Sequence, residues 1–440
     1  MLRLVALVLA LACCPLDALA APPPPAIPDT PAGHALKAWL DAFNSGDAAR
    51  IKAFAARFWP DDPVERTIGF AKQTGGFDLL EVIPADRLHL RVRVQEKLSP
   101  TQAVGTIEVK DADPPTITRF NLRAIPPGMS AADMDIKIDA AGRARILDGI
   151  AAKITEFYIY PEIGKKMIEA MRAHQKKGEY DAITDGMAFA ELLTKQLQDV
   201  SHDKHLRVDC MPEVVPKDDP PLMAERPIDP EFRTFMERQN CGFEKVEHLP
   251  GNIGYVKLNF FGDPRVCGAT ATAAFGFLAH VDAIIFDLRE NGGGDPRMVQ
   301  YVESYLFGER THLNDLWVRK TGKATEYWTK PELPGAKLAK LPAFVLTSSR
   351  TFSGGEEFTY DLKTLKRATI VGETTGGGAH PVSPHRVDDH FAIGVPFARP
   401  INPITKKDWE GTGVAPDVKA PADQALEVAL KLAGEKLRKK

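Results

Sequence analysis

One apolar run that ends at a serine corner constrains this chain more than any other stretch. Residues 342–346 (Pro-Ala-Phe-Val-Leu) read as a buried strand. A helical pattern follows, with Phe358, Leu362 and Leu365 spaced along one face. The hexapeptide Thr351-Phe352-Ser353-Gly354-Gly355-Glu356 therefore turns the chain from strand to helix and leaves Ser353 at the corner. Backbone N–H groups at a helix start point toward whatever a hydroxyl there would attack, which is where a hydrolase carries a nucleophile. The same residues have the S-x-x-E spacing of a capping box, which needs no chemistry. On the hexapeptide alone both readings stand.

The rest of the chain supplies the context. At 440 residues, 44% of them hydrophobic, it exceeds what one ordinary core encloses, and two or three domains are expected. The formal net charge is −3, with no basic run or aromatic-basic patch, which argues against a nucleic-acid partner. Arg3, the apolar run Leu4–Cys14 and the A-x-A site Ala18-Leu19-Ala20 predict a secretory signal peptide over 1–20, cleaved after Ala20, and hence an exported, periplasmic or secreted protein. The residues before Cys13 and Cys14 fit a lipid-attachment site poorly. That apolar run is too short to span a bilayer and no other stretch is long enough, so no stable membrane span is expected. The remaining cysteines are Cys210, Cys241 and Cys267. A disulfide between Cys210 and Cys241, which flank one linker, is one expectation, and three buried free thiols the other.

In chain order, 21–31 is a proline-rich leader. Residues 32–127 read as a small α+β domain: helical faces at Leu36, Trp39, Leu40 and Phe43 and at Ile51, Phe54 and Phe58, then alternating strands at 88–94, 103–109 and 116–122. The stretch "LDAFNSGDAARIKAF" resembles the opening of the nuclear transport factor 2 and ketosteroid isomerase superfamily. Pro126-Pro127-Gly128 marks a boundary. Residues 138–212 are mostly helical, fitting a bundle of about three elements, and 213–250 reads as a linker rich in proline and charge. From 251 to 432 strands and helices alternate, which implies a largely parallel sheet covered by helices, an α/β core.

Four further features could carry chemistry. Asp287-Leu288-Arg289-Glu290-Asn291-Gly292-Gly293-Gly294 closes a buried strand, and its glycines let N–H groups approach a ligand, as an oxyanion hole requires. It lacks the lysine of a Walker motif and the spacing of a dinucleotide fingerprint. His202 and His205 could hold a metal but have no third ligand at a recognisable spacing, whereas a neutral imidazole suits a general base. Glu410, in a Gly-rich turn, could orient a histidine. His380, His385 and His390 recur at five-residue intervals, which no regular periodicity brings to one face, and they read as ordinary surface or cleft histidines. No zinc spacing is present, and no cofactor is called for.

The ordered set "SHDKHLRV" (201–208), "IIFDLRENGGG" (284–294), "TFSGGEEFTYDLK" (351–363), "VGETTGGGAH" (371–380) and "WEGTGVAPDV" (409–418) resembles the tail-specific (C-terminal processing) serine peptidases. It is most similar to the branch of the tricorn core protease and interphotoreceptor retinoid-binding protein. The resemblance covers roughly 140–430 and implies a crotonase-like, spiralled β/α core behind a helical region. It also implies Ser353 as nucleophile, His205 as base with His202 as fallback, Glu410 as the residue that fixes the base, and Gly293 and Gly354 as oxyanion donors. The lysine that the processing branch uses as base is absent from Thr375-Gly376-Gly377-Gly378. The expected function is hydrolysis of peptides or unfolded protein tails through an acyl-enzyme. The alternatives are an esterase or amidase, or a non-catalytic binder of an apolar ligand on the same scaffold.

Overall fold

The computed structural model describes residues 25–438 apart from 61, 63 and 218–226, so the expected signal sequence lies outside the described residues. The chain divides into two units at Asp135.

The first unit runs α1 (Pro31–Phe43), α2 (Ala48–Phe58), α3 (Val64–Thr74), β1 (Phe77–Pro84), β2 (His89–Glu96), β3 (Gln102–Lys110) and β4 (Thr116–Ala124). Thr30 caps α1, its side chain accepting from Gly33 N–H, with Pro31 at the first helical position. Asp47 caps α2 in the same way. The strands form an antiparallel meander in sequence order. Trp39, Phe43, Phe54 and Phe77 pack with Val94 and Ile107 to fill the space between helices and sheet. This is the α+β arrangement the periodicity predicts, enlarged by α3 and β1.

The second unit opens with α4 (Ala140–Phe157), α5 (Pro161–Lys176), α6 (Gly186–Ser201), β5 (Arg207–Cys210) and α7 (Pro230–Arg238). Three helices occupy the expected stretch, but they do not close on themselves. Ile150, Phe189 and Leu193 share one core with Val208 of β5 and Ile393 of a later strand. The expected linker, 213–250, contains α7 and also β6 (Phe243–Leu249), which pairs antiparallel with β7 (Ile253–Leu258).

The remaining elements are α8 (Pro264–Phe277), β8 (Ala283–Asp287), α9 (Pro296–Ser304), β9 (His312–Val318), β10 (Lys323–Trp328), β11 (Ala343–Thr347), α10 (Gly354–Thr364), β12 (Ala368–Gly372), β13 (Val382–Asp388), β14 (Phe391–Pro396), β15 (Ala398–Ile401), β16 (Val418–Lys419) and α11 (Ala425–Leu437). The main sheet has the order β16-β12-β11-β8-β7-β6, with parallel pairing from β16 to β7. Its central strands β8 and β11 are buried on both faces, and the period of two sorts their side chains. Ile284, Phe286 and Val345 face the helices α8, α9 and α10, where they meet Phe275, Val302 and Phe358. Ile285, Phe344 and Leu346 face α11, which presents Ala425, Ala429 and Ala433. Small residues at i, i+4 and i+8 let that helix lie close to the sheet. Two small antiparallel sheets, β10-β9-β15 and β13-β14-β5, complete the unit.

The disulfide joins Cys241 to Cys267, not Cys210 to Cys241. Cys210 ends β5 and is buried with the first helices, whereas α8 brings Cys267 against Cys241 in the core of the main sheet. A crosslink across 26 residues contributes roughly 3 kcal/mol through loss of unfolded-chain entropy. Reduction, or Cys267→Ser, is expected to lower the unfolding free energy by about that amount in urea titration. Peptide mapping without reductant is expected to recover the 241–267 linkage; recovery of a Cys210 linkage instead would refute the pairing.

Candidate active site

Three adjacent parallel strands, β8, β11 and β12, end at the same edge of the main sheet, and the loops that leave them build the site. Carboxyl ends of parallel strands are where such sheets collect ligands, because the chain there turns into helix N-termini. The β8 and β11 loops are tied together. Thr351 Oγ1 donates to Leu288 O at 2.7 Å, Ser348 Oγ to Arg289 O at 2.5 Å, and Phe352 N–H to Asn291 O at 2.9 Å.

Ser353 occupies the corner in an unusual backbone conformation, φ 53° and ψ −121°. Glycine reaches that region at no steric cost, whereas a residue with a Cβ is held there only by its surroundings, at about 1–3 kcal/mol. Both halves of a capping box are in place: the Ser353 side chain faces the Glu356 N–H, and Glu356 Oε2 accepts from Ser353 N–H at 3.0 Å. The Ser353 side chain also lines, at the mouth of the helix, a cavity of about 390 Å³ with His205, Gly294, Gly354, Glu357 and His380.

The glycine run packs directly against this corner. A Cβ on Gly293 would fall 2.6 Å from Ser353 Cβ, so that position requires glycine. The N–H of Gly293, the donor expected from the sequence, is directed to Asn291 Oδ1 at 2.8 Å. Buried Asn291 is itself anchored through Nδ2 to Leu258 O. The N–H groups of Gly294 and Gly354 make no hydrogen bond among the described residues, and both residues line the cavity. They lie side by side, since a Cβ on Gly354 would sit 3.1 Å from Gly294 N.

Glu356 holds the third loop. Its Oε1 accepts from Thr375 Oγ1 at 2.5 Å and Gly377 N–H at 2.7 Å; Oε2 accepts from Gly378 N–H at 2.8 Å as well as from Ser353. Burial pushes its carboxyl up, and the four donors pull it back.

His205 sits just before β5, which pairs with β14 and so joins this segment to the second unit's core. Its ring lies against Phe352, with centroids 4.6 Å apart, and Gly378 packs close to both. Burial pushes its pKa down to about 4, with Asp203 opposing the shift and His380 adding to it. Its Nδ1 has no hydrogen bond among the described residues. Asp203 fixes the main chain, Oδ1 accepting from His205 N–H at 3.0 Å, while its Oδ2 meets His380 Nδ1 at 2.7 Å. Glu410 is placed by Ala379 N–H at 2.6 Å and lies 3.5 Å from His380 Nδ1. Its carboxyl is pushed up to about 7, chiefly by burial, with His380 pulling against it. The pKa of His380 is raised: burial opposes its cation, but Asp203 and then Glu410 outweigh it.

Ser353, His205 and Gly354 therefore share one cavity, while Glu410 reaches His205 only through His380 and Asp203. His202 is exposed at the C-cap of α6 and does not line the cavity. Asp203 and His380 are the residues that sequence reasoning passed over. The acidic neighbour of His205 was the available signal for the first; nothing in the spacing of the three later histidines marked out the second. His385 stacks on Phe157 with ring centroids 3.9 Å apart, and His390 bonds to Met211 O, so the three histidines do separate things. Ligand atoms of Asp203, His380 and Glu410 lie within 4.8 Å of one another and could receive a cation. Their arrangement is already accounted for by the approach of both carboxyl groups to His380 Nδ1, at 2.7 Å from Asp203 and 3.5 Å from Glu410.

The sequence profile of peptidase family S41 matches residues 252–420, and that of the N-terminal domain of peptidase S41 in eukaryotic IRBP matches 140–236. Among solved structures, an S41 protease from Bacteroides fragilis is 22% identical with a TM-score of 0.40, over 44% of this chain; the chain spans only 58% of that protein's length. The photosystem II D1 C-terminal processing protease is 17% identical with a TM-score of 0.41, over 66% of this chain and 97% of that one. The tricorn protease is 14% identical with a TM-score of 0.44, over 82% of this chain and 42% of that one. Likenesses this remote add nothing to the two profile matches.

The backbone of Ser353 makes a measurable difference between two substitutions that both remove the hydroxyl. Ser353→Gly is expected to be more stable than Ser353→Ala by about 1 kcal/mol in urea titration, because glycine relieves the positive φ. An alanine variant as stable as the glycine variant, or more so, would mean that the corner is unstrained.

Proposed function

Because this chain belongs to peptidase family S41, we propose that it is a serine peptidase in which Ser353 is the nucleophile and His205 its general base. The observation that carries this reading is the Ser353 side chain, held at a strained corner in the cavity that His205 also lines. Its capping-box contacts are compatible with that role, because the same helix start favours an oxyanion.

In this mechanism neutral His205 takes the Ser353 proton as Oγ attacks a peptide carbonyl. The N–H groups of Gly354 and Gly294 stabilise the oxyanion; Gly293 keeps the turn tight rather than donating. His205 then protonates the leaving amine, and water releases the acyl group by the same steps in reverse. Glu410 is a positioning residue: it approaches His380, which bonds to Asp203, and Asp203 fixes the main chain of His205. This modifies the Ser-His-Glu scheme implied by the family resemblance, in which Glu410 acts on the base directly. The reading includes the crotonase-like spiral for the core, peptides or unfolded tails as substrate, and export, which rests on the apolar run before Ala20.

Labelling with a fluorophosphonate tests the nucleophile. The wild type is expected to take up the probe and Ser353→Ala to take up none; a wild type that neither labels nor cleaves a peptide library refutes the reading. His205→Ala is expected to lose about 10²–10⁴ in kcat/KM, with His202→Ala near wild type and Glu410→Gln between them. Loss confined to His202→Ala would move the base.

The pH profile follows from burial of His205. A general base works when neutral, that is, above its pKa. A pKa lowered to about 4 keeps it neutral well below the usual histidine range. The acid limb of kcat/KM assigned to this base, by its loss in His205→Ala, is therefore expected below pH 6. A His205-dependent limb at the ordinary histidine value of about 6.5 would show the ring to be solvated in the free enzyme.

A further inference from the structure

The mechanism leaves one ionisable group of the cavity without a task. Glu357 follows Ser353 by one helical turn and so shares its face of α10. Its side chain is only 7% exposed, yet it lines the cavity beside Ser353, Gly354 and Gly294. Oε1 accepts from Asn314 Nδ2 at 3.2 Å, and Oε2 has no hydrogen bond among the described residues. Burial, and then the charge of Asp295, holds its carboxyl up, to about 7.

The groups behind it supply no counter-charge. Asp361, one turn further along α10, is buried and held by Asn402 Nδ2 at 3.3 Å. Glu303 of α9 is fully buried, and neither of its carboxyl oxygens has a hydrogen bond. Burial, and then repulsion from neighbouring carboxyls, pushes both well above the usual carboxylate range. Glu357 is the member of this set that meets the cavity. Pro296, Leu316, Phe397 and Pro400 line the same cavity. A carboxyl with an open oxygen in a cavity with such apolar lining matches a long aliphatic stem with a cationic tip.

We propose that Glu357 forms the floor of a subsite that selects a lysine or arginine side chain of the substrate, next to the bond that Ser353 attacks. The cation would complete a pair that the protein leaves half made, and a buried half-pair discriminates strongly between a charged side chain and its neutral isostere. The inference deepens the peptidase reading and rests on it for the position of the scissile bond.

The test uses binding, so that it does not depend on turnover. Full-length Ser353→Ala is titrated by fluorescence anisotropy with short blocked peptides that differ at one residue: lysine, norleucine or acetyl-lysine. Lysine is expected to bind at least about tenfold tighter than either neutral side chain. Glu357→Gln in the same background is expected to bring the lysine and norleucine peptides near parity. Equal affinities with Glu357 intact overturn the proposal whether or not Glu357→Gln folds, as does a lysine preference that survives that substitution. In parallel, the wild type is assayed on a library varied on both sides of the scissile bond. Selective lysine binding by a protein that neither cleaves nor labels would keep the subsite and sink the peptidase reading. Ser353-dependent cleavage with no basic preference would do the reverse.

Discussion

The carboxylate of Glu356 is the interaction on which the rest of the site depends. One buried group receives the N–H of Ser353, the hydroxyl of Thr375 and the N–H groups of Gly377 and Gly378. It therefore sets the distance between the corner after β11 and the loop after β12, and that loop in turn packs on the ring of His205. Four donors on one desolvated carboxylate form a stiff joint, since each lost bond would strand a buried polar group. Glu356 and Ser353 cap the start of α10 reciprocally, and the Ser353 side chain lines the cavity from that same position. The capping-box reading and the nucleophile reading are thus two halves of one arrangement.

Charge is divided unevenly around the cavity. His205 is buried without a direct carboxylate partner and stays neutral; His380, a few residues away in space, sits between Asp203 and Glu410 and holds a proton more readily. Desolvation acts on both rings, and only the second has an ion pair to offset it. Glu303, Glu357 and Asp361 on α9 and α10 are raised chiefly by burial and by one another or by Asp295, and of the three Glu357 lines the cavity.

Much of the fold was legible from apolar runs. The strands at 283–287, 343–347 and 368–372 are continuous hydrophobic segments because helices cover both faces of the sheet, and such runs are hard to mistake. The elements that escaped notice are of another kind. β10 is largely exposed, β13 carries a proline and charged residues, and α3 mixes both charge signs with few apolar positions. Their pairing comes from partners distant in sequence, which local periodicity does not record. The expected linker failed for the same reason: β6 belongs to the main sheet through its pairing with β7, not through its own composition.

Taken alone, the sequence determined the strand-to-helix corner at Ser353, the glycine-rich turn beside it, the order of the motifs and the lack of a lysine in the stretch 375–378, because each is a property of neighbouring residues. Only the tertiary structure decided which N–H groups are free, since Gly293 loses its own to Asn291 through a turn three residues long. It also decided that Cys241 pairs with Cys267, that Glu410 meets His380 rather than His205, and that Asp203 links the two histidines. These are contacts between segments up to about two hundred residues apart. Their geometry depends on how the sheet, its helices and the β5–β14 pairing bring loop ends together, and that information is spread over the whole core rather than written at any one position.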